Sequence, residues 1–270
     1  MAKRNTLDLS HLIPYSDFIT GFTTCELIDH PNIESVILDD HQLGIHKVSS
    51  ATTHHVVQPP ASSGSTAAPK AAWEAFYPEG SINPGGEIPG GFGFYLTGPS
   101  SFAKRLETAS EATFSYRLML QEDWEWVKGG KLLEFVLGGV NDLAYGCTGG
   151  REDKRCQCFD LRAMWRANAV GELYAYLPLT GDNATQLSWV SIAFRVKLND
   201  VGSANGEIEL WVDGNSVIKV DELTIRTNDS GRIKGMHFQT FFGGHGKDWA
   251  SPKDQRAWFS DVTGVISRSY

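Results

Sequence analysis

An all-β fold, a β-jelly roll built as a two-sheet antiparallel sandwich, is what three features of the sequence predict. Short β-rich runs recur at 113–120, 131–137, 158–165, 171–178, 187–197, 206–212, 216–223, 233–242 and 256–266. Turn residues separate these runs, and Asp213-Gly214, between Glu207–Val212 and Ser216–Val220, reads as the turn of a β-hairpin. No convincing amphipathic helix interrupts the series, and strands at this spacing build a sandwich or jelly roll.

Before residue 112 the pattern is weaker. His46 to Gln58 is a strand-like run of Val, Thr and His, followed by a Pro-, Ser- and Ala-rich connector from Pro59 to Pro69. The connector reads as a long surface loop rather than a domain linker, because the segment before it is short and poor in apolar periodicity. Gly80 to Pro99 holds seven glycines and three prolines and is expected to be loop, with one short strand at Phe92–Leu96. Residues 1–270 are therefore expected to form a single domain, with an irregular N-terminal part, about residues 1–72, packed on it or looping around it.

Composition narrows the function classes. With 41% hydrophobic and 21% charged residues the chain is ordinary globular protein, and 270 residues bury a core without help from a metal or a disulfide. There is no apolar run of about 18 residues, so no membrane partner is expected. A net charge of -8 argues against nucleic acid, which needs a basic footprint. The charge is uneven, however. Residues 128–166 hold seven basic and five acidic side chains, +2 in all, which leaves -10 for the rest. A local positive cleft in an acidic protein suits an anionic ligand, although the charges at 151–155 read as a solvated loop.

Of the four cysteines, Cys147 is expected to pair with Cys156 or Cys158 across a Gly-rich loop, as in an oxidising compartment. Zinc is disfavoured, since Cys-x8-Cys-x-Cys spacing is poor for it and no histidine is near in sequence. No signal peptide is visible, yet secretion is expected.

Residues two apart on a strand share a face. Along 158–166, Asp160, Arg162, Met164 and Arg166 point one way; along 171–177, Glu172, Tyr174 and Tyr176 do. The short connection at 167–170 makes these two runs antiparallel neighbours, so one sheet face is expected to carry Asp160, Arg162, Tyr174 and Tyr176. Such a face suits a sugar polymer, because aromatic rings stack on pyranose rings and cations hold carboxylates. A solvent-facing sheet merely decorated with tyrosine would show the same alternation.

A series of motifs in fixed order carries a family resemblance: Lys128-Gly-Gly-Lys131-Leu, Cys158-Phe-Asp-Leu-Arg-Ala-Met-Trp-Arg166, Gly171-Glu-Leu-Tyr-Ala-Tyr-Leu-Pro178, Val201 to Gly214, Gln239-Thr-Phe-Phe-Gly-Gly244 and Ala250-Ser-Pro-Lys-Asp254. Across residues 70–268 the chain resembles polysaccharide lyase family 14 in its fungal branch, and the glucuronan lyase family is similar. The resemblance implies a jelly roll that cleaves alginate or glucuronan by β-elimination. It puts the family's lysine on Lys131, its strand arginine on Arg162 and its two strand tyrosines on Tyr174 and Tyr176. Two positions depart from the pattern: Asp160 stands where serine is usual, and Leu132-Leu-Glu-Phe135 stands where Pro-Gly-Leu follows the lysine. Asp160 beside a substrate carboxylate is counterproductive unless Arg162 or Lys131 pairs with it.

For elimination, Lys131 and Arg162 are the candidates to neutralise the substrate carboxylate, and Tyr174 and Tyr176 to supply base and acid. Asp160, Lys128, Arg166, Gln239 and His245 are candidate substrate-binding residues. His54, His55, His237 and His245 are rival bases. No cofactor is expected, and no loop of oxygen ligands for a structural calcium is readable. The expected partner is an acidic polysaccharide, bound by a monomer. Two alternatives stand beside this reading. One is a glycoside hydrolase using Glu207 and Glu209, which share a strand face. The other is a non-catalytic carbohydrate-binding jelly roll.

Overall fold

A computed structural model describes residues 7–62, 67–145, 147, 157–166, 171–173, 177–179 and 189–270. Within it, the chain forms β1 (Thr20–Thr23), β2 (Ile33–Ser35), β3 (Ile45–His46), β4 (Val56–Val57), β5 (Ala72–Tyr77), β6 (Phe92–Leu96), α1 (Ser100–Leu106), β7 (Ala109–Leu120), β8 (Gly129–Val140), β9 (Cys158–Arg166), β10 (Gly171–Leu173), β11 (Leu177–Leu179), β12 (Val190–Lys197), β13 (Gly206–Val212), β14 (Asn215–Leu223), β15 (Gly231–Phe242) and β16 (Gln255–Ser269). One sheet runs β14-β13-β12-β7-β16-β1-β2, with β5 also on β16 and β4 on β5; the other runs β11-β10-β9-β8-β15-β6-β3. All described pairings are antiparallel except β1 with β2.

Alternation builds the core between the sheets. Phe92, Phe94 and Leu96 of β6, Met236, Phe238 and Phe242 of β15, and Phe114, Tyr116 and Leu118 of β7 all enter one buried cluster. Phe92, Phe94 and Phe238 stack nearly parallel, and Trp73 and Phe259 meet Phe238 edge-on, 5.0 and 5.6 Å between centroids. Such offset and edge contacts are the favoured aromatic geometries. The hairpin at Asp213-Gly214 joins β13 to β14, and both turn residues have positive φ, 48° and 77°, as a type I′ turn requires.

Three expectations are corrected. The run His46–Gln58 is strand only at Ile45–His46 and Val56–Val57; Val56 is half exposed, so the segment has no apolar face to bury. Helix α1 was not expected. At seven residues, with only Phe102 and Leu106 buried, it is too short to show a helical period. The run 171–178 is two strands, not one: Gly171 pairs with Leu179 and Leu173 with Leu177. Pro178 has no N–H to give to a further neighbour, which suits β11 to the sheet edge where it stands.

Candidate active site

The seven-stranded sheet has a second face, turned away from the core. On β15, the residues between the buried Met236, Phe238 and Phe242 are His237, Gln239 and Phe241, and they line that outer face. Lys131 of β8 pairs with Phe241 across the ladder. Its Nζ donates to Gln239 Oε1 at 3.2 Å and lies 4.8 Å from the centroid of the Phe241 ring. A partly buried ammonium is thus held between an amide oxygen and an aromatic ring. Gly93 stands opposite Gln239 on β6 and leaves the amide its room.

The neighbouring Gly-Gly of β8 has a packing reason. A Cβ on Gly130 would meet the Trp165 indole of β9 at 2.1 Å. Without a side chain at 130, Trp165 lies over β8 in the core and locks the two strands together.

The family departure after Lys131 also has a structural form. The β8–β9 register runs Lys131↔Met164, Leu133↔Ala163, Glu134↔Arg162, Val136↔Leu161 and Leu137↔Asp160. The shifts skip Leu132 and Phe135, so β8 carries two bulges within seven residues. Each bulge restores the parity that an extra residue would break. Lys131 and Leu137 thereby share a ladder face with Met164 and Asp160. Arg162 is placed by its backbone; its side chain lies outside the described residues, as do Tyr174 and Tyr176 entirely. The predicted pairing of 158–166 with its successor is present, with Gly171↔Trp165, Glu172↔Met164 and Leu173↔Ala163.

Asp160 does not stand alone on this face. Its Oδ2 lies 3.2 Å from His237 Nδ1, with only 5% and 10% of the two side chains exposed. With the carboxylate ionised, the Nδ1–H of His237 donates. The sequence pointed to Arg162 or Lys131 as a partner; among the described contacts, β15 supplies a histidine. Beyond His237 lies an aromatic layer. Tyr95 of β6 stacks on the imidazole at 4.2 Å and 15°, and Tyr145 meets the Tyr95 ring edge-on at 5.0 Å. His46 packs against both tyrosines. Burial and the nearby Asp142 push the Tyr145 phenol upward, which unfits it as a base.

Sequence reasoning did not single out Tyr95, Tyr145, His46 or Phe241 as site residues. Alternation in Phe92-Gly-Phe-Tyr-Leu96 and His237-Phe-Gln-Thr-Phe241 was a usable signal for Tyr95 and Phe241. Tyr145 follows β8 in a 3-10 turn and carries no periodic signal.

The other predicted residues are more scattered. Arg166 ends β9 beside Gly129, near Lys131's end of the sheet. Lys128, just before β8, is bound to Asp248 and lies 5.9 Å from the Trp249 ring. His245 is exposed in the turn after β15. His54 bonds to Asp40 at 2.9 Å and packs on Phe94, while His55 is exposed in the segment before β4. Cys147 and Cys158 form a disulfide that ties the chain beyond β8 to the start of β9; Cys25 is buried and reduced, and Cys156 lies outside the described residues.

The carboxylates of the hydrolase alternative are placed wrongly for it. Glu207 and Glu209 belong to the nine-stranded sheet and bind Arg195 at 2.8 and 3.2 Å, with Glu207 also on Lys197. The Lys197 and Arg195 hydrogen bonds pull the Glu207 carboxyl down to about 2, where it cannot serve as a general acid near neutral pH.

The fold is a two-sheet sandwich whose seven-stranded sheet carries a braced ammonium and a buried Asp–His pair on the face turned away from the core. The chain belongs to polysaccharide lyase family 14: the family profile matches residues 65–188 and 184–262. Among solved structures it is similar to the family 14 alginate lyase of Aplysia kurodai, at 25% identity and TM-score 0.68 over 93% of this chain and 100% of that one. It shares its fold with alginate lyase vAL-1 from Chlorella virus, at 17% identity and TM-score 0.61 over 83% and 93%. The endo-β-1,4-glucuronan lyase of the fungus Trichoderma reesei follows at 13% and 0.51 over 84% and 92%. No curated protein matches the chain.

Proposed function

We propose that this lyase cleaves a polyuronate, alginate or glucuronan, by β-elimination on the outer face of the seven-stranded sheet. Family membership and the substrate named for the Aplysia enzyme support a uronic-acid polymer. The observation that carries the mechanism is the Lys131 ammonium, braced by Gln239 and Phe241 on the outer face of the sheet.

The proton to be removed sits on the carbon bearing the carboxylate, a very weak acid while that carboxylate keeps its charge. A cation beside it stabilises the enolate-like charge of the transition state. Lys131 and Arg162 take this role, with Gln239 and Arg166 binding the chain alongside. Tyr174 and Tyr176, on the family's pattern, pass the proton from carbon to the departing glycosidic oxygen. A tyrosine ionises near about 10 in water, so its use as a base requires nearby positive charge. The products are one chain with a new reducing end and one with an unsaturated uronate end.

Replacing Lys131 with Ala tests the assignment. Turnover, read as ultraviolet absorbance of unsaturated ends, is expected to fall on the order of 100-fold or more. Wild-type rates with an unchanged pH profile would remove Lys131 from the mechanism. Reducing ends without unsaturation would replace elimination by hydrolysis.

We also propose secretion as the setting, supported by the Cys147–Cys158 disulfide, since such bonds persist in oxidising compartments.

A further inference from the structure

The motif from Gln239 to Gly244 gives Gln239 and Phe241 to the lyase face and leaves Thr240 between them. On β15 the residues two before and two after Thr240 are Phe238 and Phe242, and both lie in the core. Thr240 points the same way and is fully buried. A hydroxyl in such an interior costs stability unless it is hydrogen-bonded.

That hydroxyl is used twice. Thr240 Oγ1 donates to the main-chain carbonyl of Lys131 at 3.1 Å. The Tyr77 hydroxyl lies 2.5 Å from the same oxygen. Each hydroxyl has one proton, and that of Thr240 is committed to Lys131, so Tyr77 donates and Thr240 accepts. Tyr77 belongs to β5, in the nine-stranded sheet, and is buried. Trp124 and Phe242 meet its ring edge-on, at 5.3 and 5.5 Å between centroids. Burial raises the phenol well above its ordinary value, so it keeps the proton it donates. Two hydrogen bonds in series thus cross the core from the nine-stranded sheet to the backbone of Lys131.

They arrive at a weak point of the ladder. Against β9, Lys131 pairs with Met164 and Leu133 with Ala163, so the first bulge of β8 begins immediately after Lys131. A bulge disrupts pairing locally and bends its strand. The Thr240 hydroxyl adds a fixed point there on the core side. Its chain neighbours Gln239 and Phe241 hold the Lys131 ammonium on the outer side. Three consecutive residues of β15 therefore grip Lys131 from both faces of the sheet.

We propose that Tyr77 and Thr240 are positioning residues for the elimination, fixing the Lys131 backbone beside the bulge and so setting where its ammonium stands against the substrate carboxylate. The inference rests on the role assigned to Lys131 above. Both residues are buried in the core and act through Lys131, without touching the substrate. A misplacement of about 1 Å costs on the order of 100-fold in rate at worst, so a lost link is expected to show in kcat.

Three substitutions separate the hydroxyls from the shapes that carry them. Tyr77→Phe removes the donor and keeps the ring, Thr240→Val removes the hydroxyl at nearly constant shape, and Thr240→Ser keeps it. Turnover of alginate and glucuronan is read as ultraviolet absorbance of unsaturated ends, at equal folded protein by circular dichroism. Tyr77→Phe and Thr240→Val are each expected to lower kcat roughly 10-fold while KM changes less than about 2-fold. Thr240→Ser should recover most of that loss. In a Lys131→Ala background Tyr77→Phe should cause no further loss, because the group through which it acts is gone. A merely structural role would give the same loss in both backgrounds. Three results overturn the inference and leave the role of Lys131 standing: wild-type kcat in both Tyr77→Phe and Thr240→Val, an equal loss in Thr240→Ser and Thr240→Val, or an equal loss from Tyr77→Phe with and without Lys131. A wild-type rate in Lys131→Ala alone overturns that role and this inference with it.

Discussion

Lys131, Asp160 and the candidate tyrosines Tyr174 and Tyr176 make different demands on their surroundings. Lys131 must keep its aim, and Gln239 and Phe241 both hold the ammonium in place. Asp160 raises the opposite problem, a carboxylate on the face that receives carboxylates. His237 hydrogen-bonds to it, and Tyr95 stacks on the imidazole. Asp160→Ser removes a like charge next to the bound polymer, so KM for a polyuronate is expected to fall on the order of 5-fold. Steady-state kinetics on alginate and glucuronan check this, and an unchanged KM on both would show that the Asp160 charge does not act on the bound polymer. Tyr174→Phe and Tyr176→Phe each test a proton carrier. Loss of the one that acts should lower kcat about 100-fold or more while the circular dichroism spectrum stays native. Full rates in both would return the chemistry to another group.

At the level of elements, β8 and β9 build the site, and their pairing depends on local detail. Two bulges in β8 keep Lys131 and Leu137 on one face despite the extra residues between them. Gly130 admits Trp165, and the Cys147–Cys158 bond closes the loop between the strands at a sequence separation of 11. A crosslink across a loop of that size contributes about 3 kcal/mol, chiefly by restricting the unfolded chain. Cys158→Ser is therefore expected to lower the urea midpoint by the equivalent of about 3 kcal/mol, and a reductant should lower the wild type to match. A midpoint insensitive to both would mean that strand pairing alone holds β9 in register.

Across the whole molecule, the two sheet faces turned away from the core have separate duties. One carries Lys131, Gln239 and the Asp160–His237 pair. The other is sealed by the N-terminal segment and by an ionic network in which Arg195 meets Glu111, Glu207 and Glu209. Within that network Glu207 ionises at about 2 rather than the ordinary 4.5, because Lys197 and Arg195 bond to its charged form. Its contribution is therefore complete above the unfolded value and is lost as pH falls from about 4.5 towards 2, on the order of 2–3 kcal/mol at most. Melting temperatures followed through that range should drop more steeply for the wild type than for Glu207→Gln. Parallel curves would assign the acid limb to other carboxylates.

The strands from 109 onward were legible because alternation, turn residues and the Asp213-Gly214 pair are local, and a strand's two faces follow from its own residues. The family and the position of Lys131 were legible for the same reason, as motifs in a fixed order. What β15 lays against them was not. His237 beside Asp160 and Gln239 beside Lys131 join residues 77 and 108 positions apart, and no periodicity reports such distances. The bulges that rescue Lys131's face and the short helix α1 were likewise decided by tertiary packing. Parity within a strand belongs to the chain; which strands become neighbours, and what charge each side chain then meets, is settled when the sheets close on a common core.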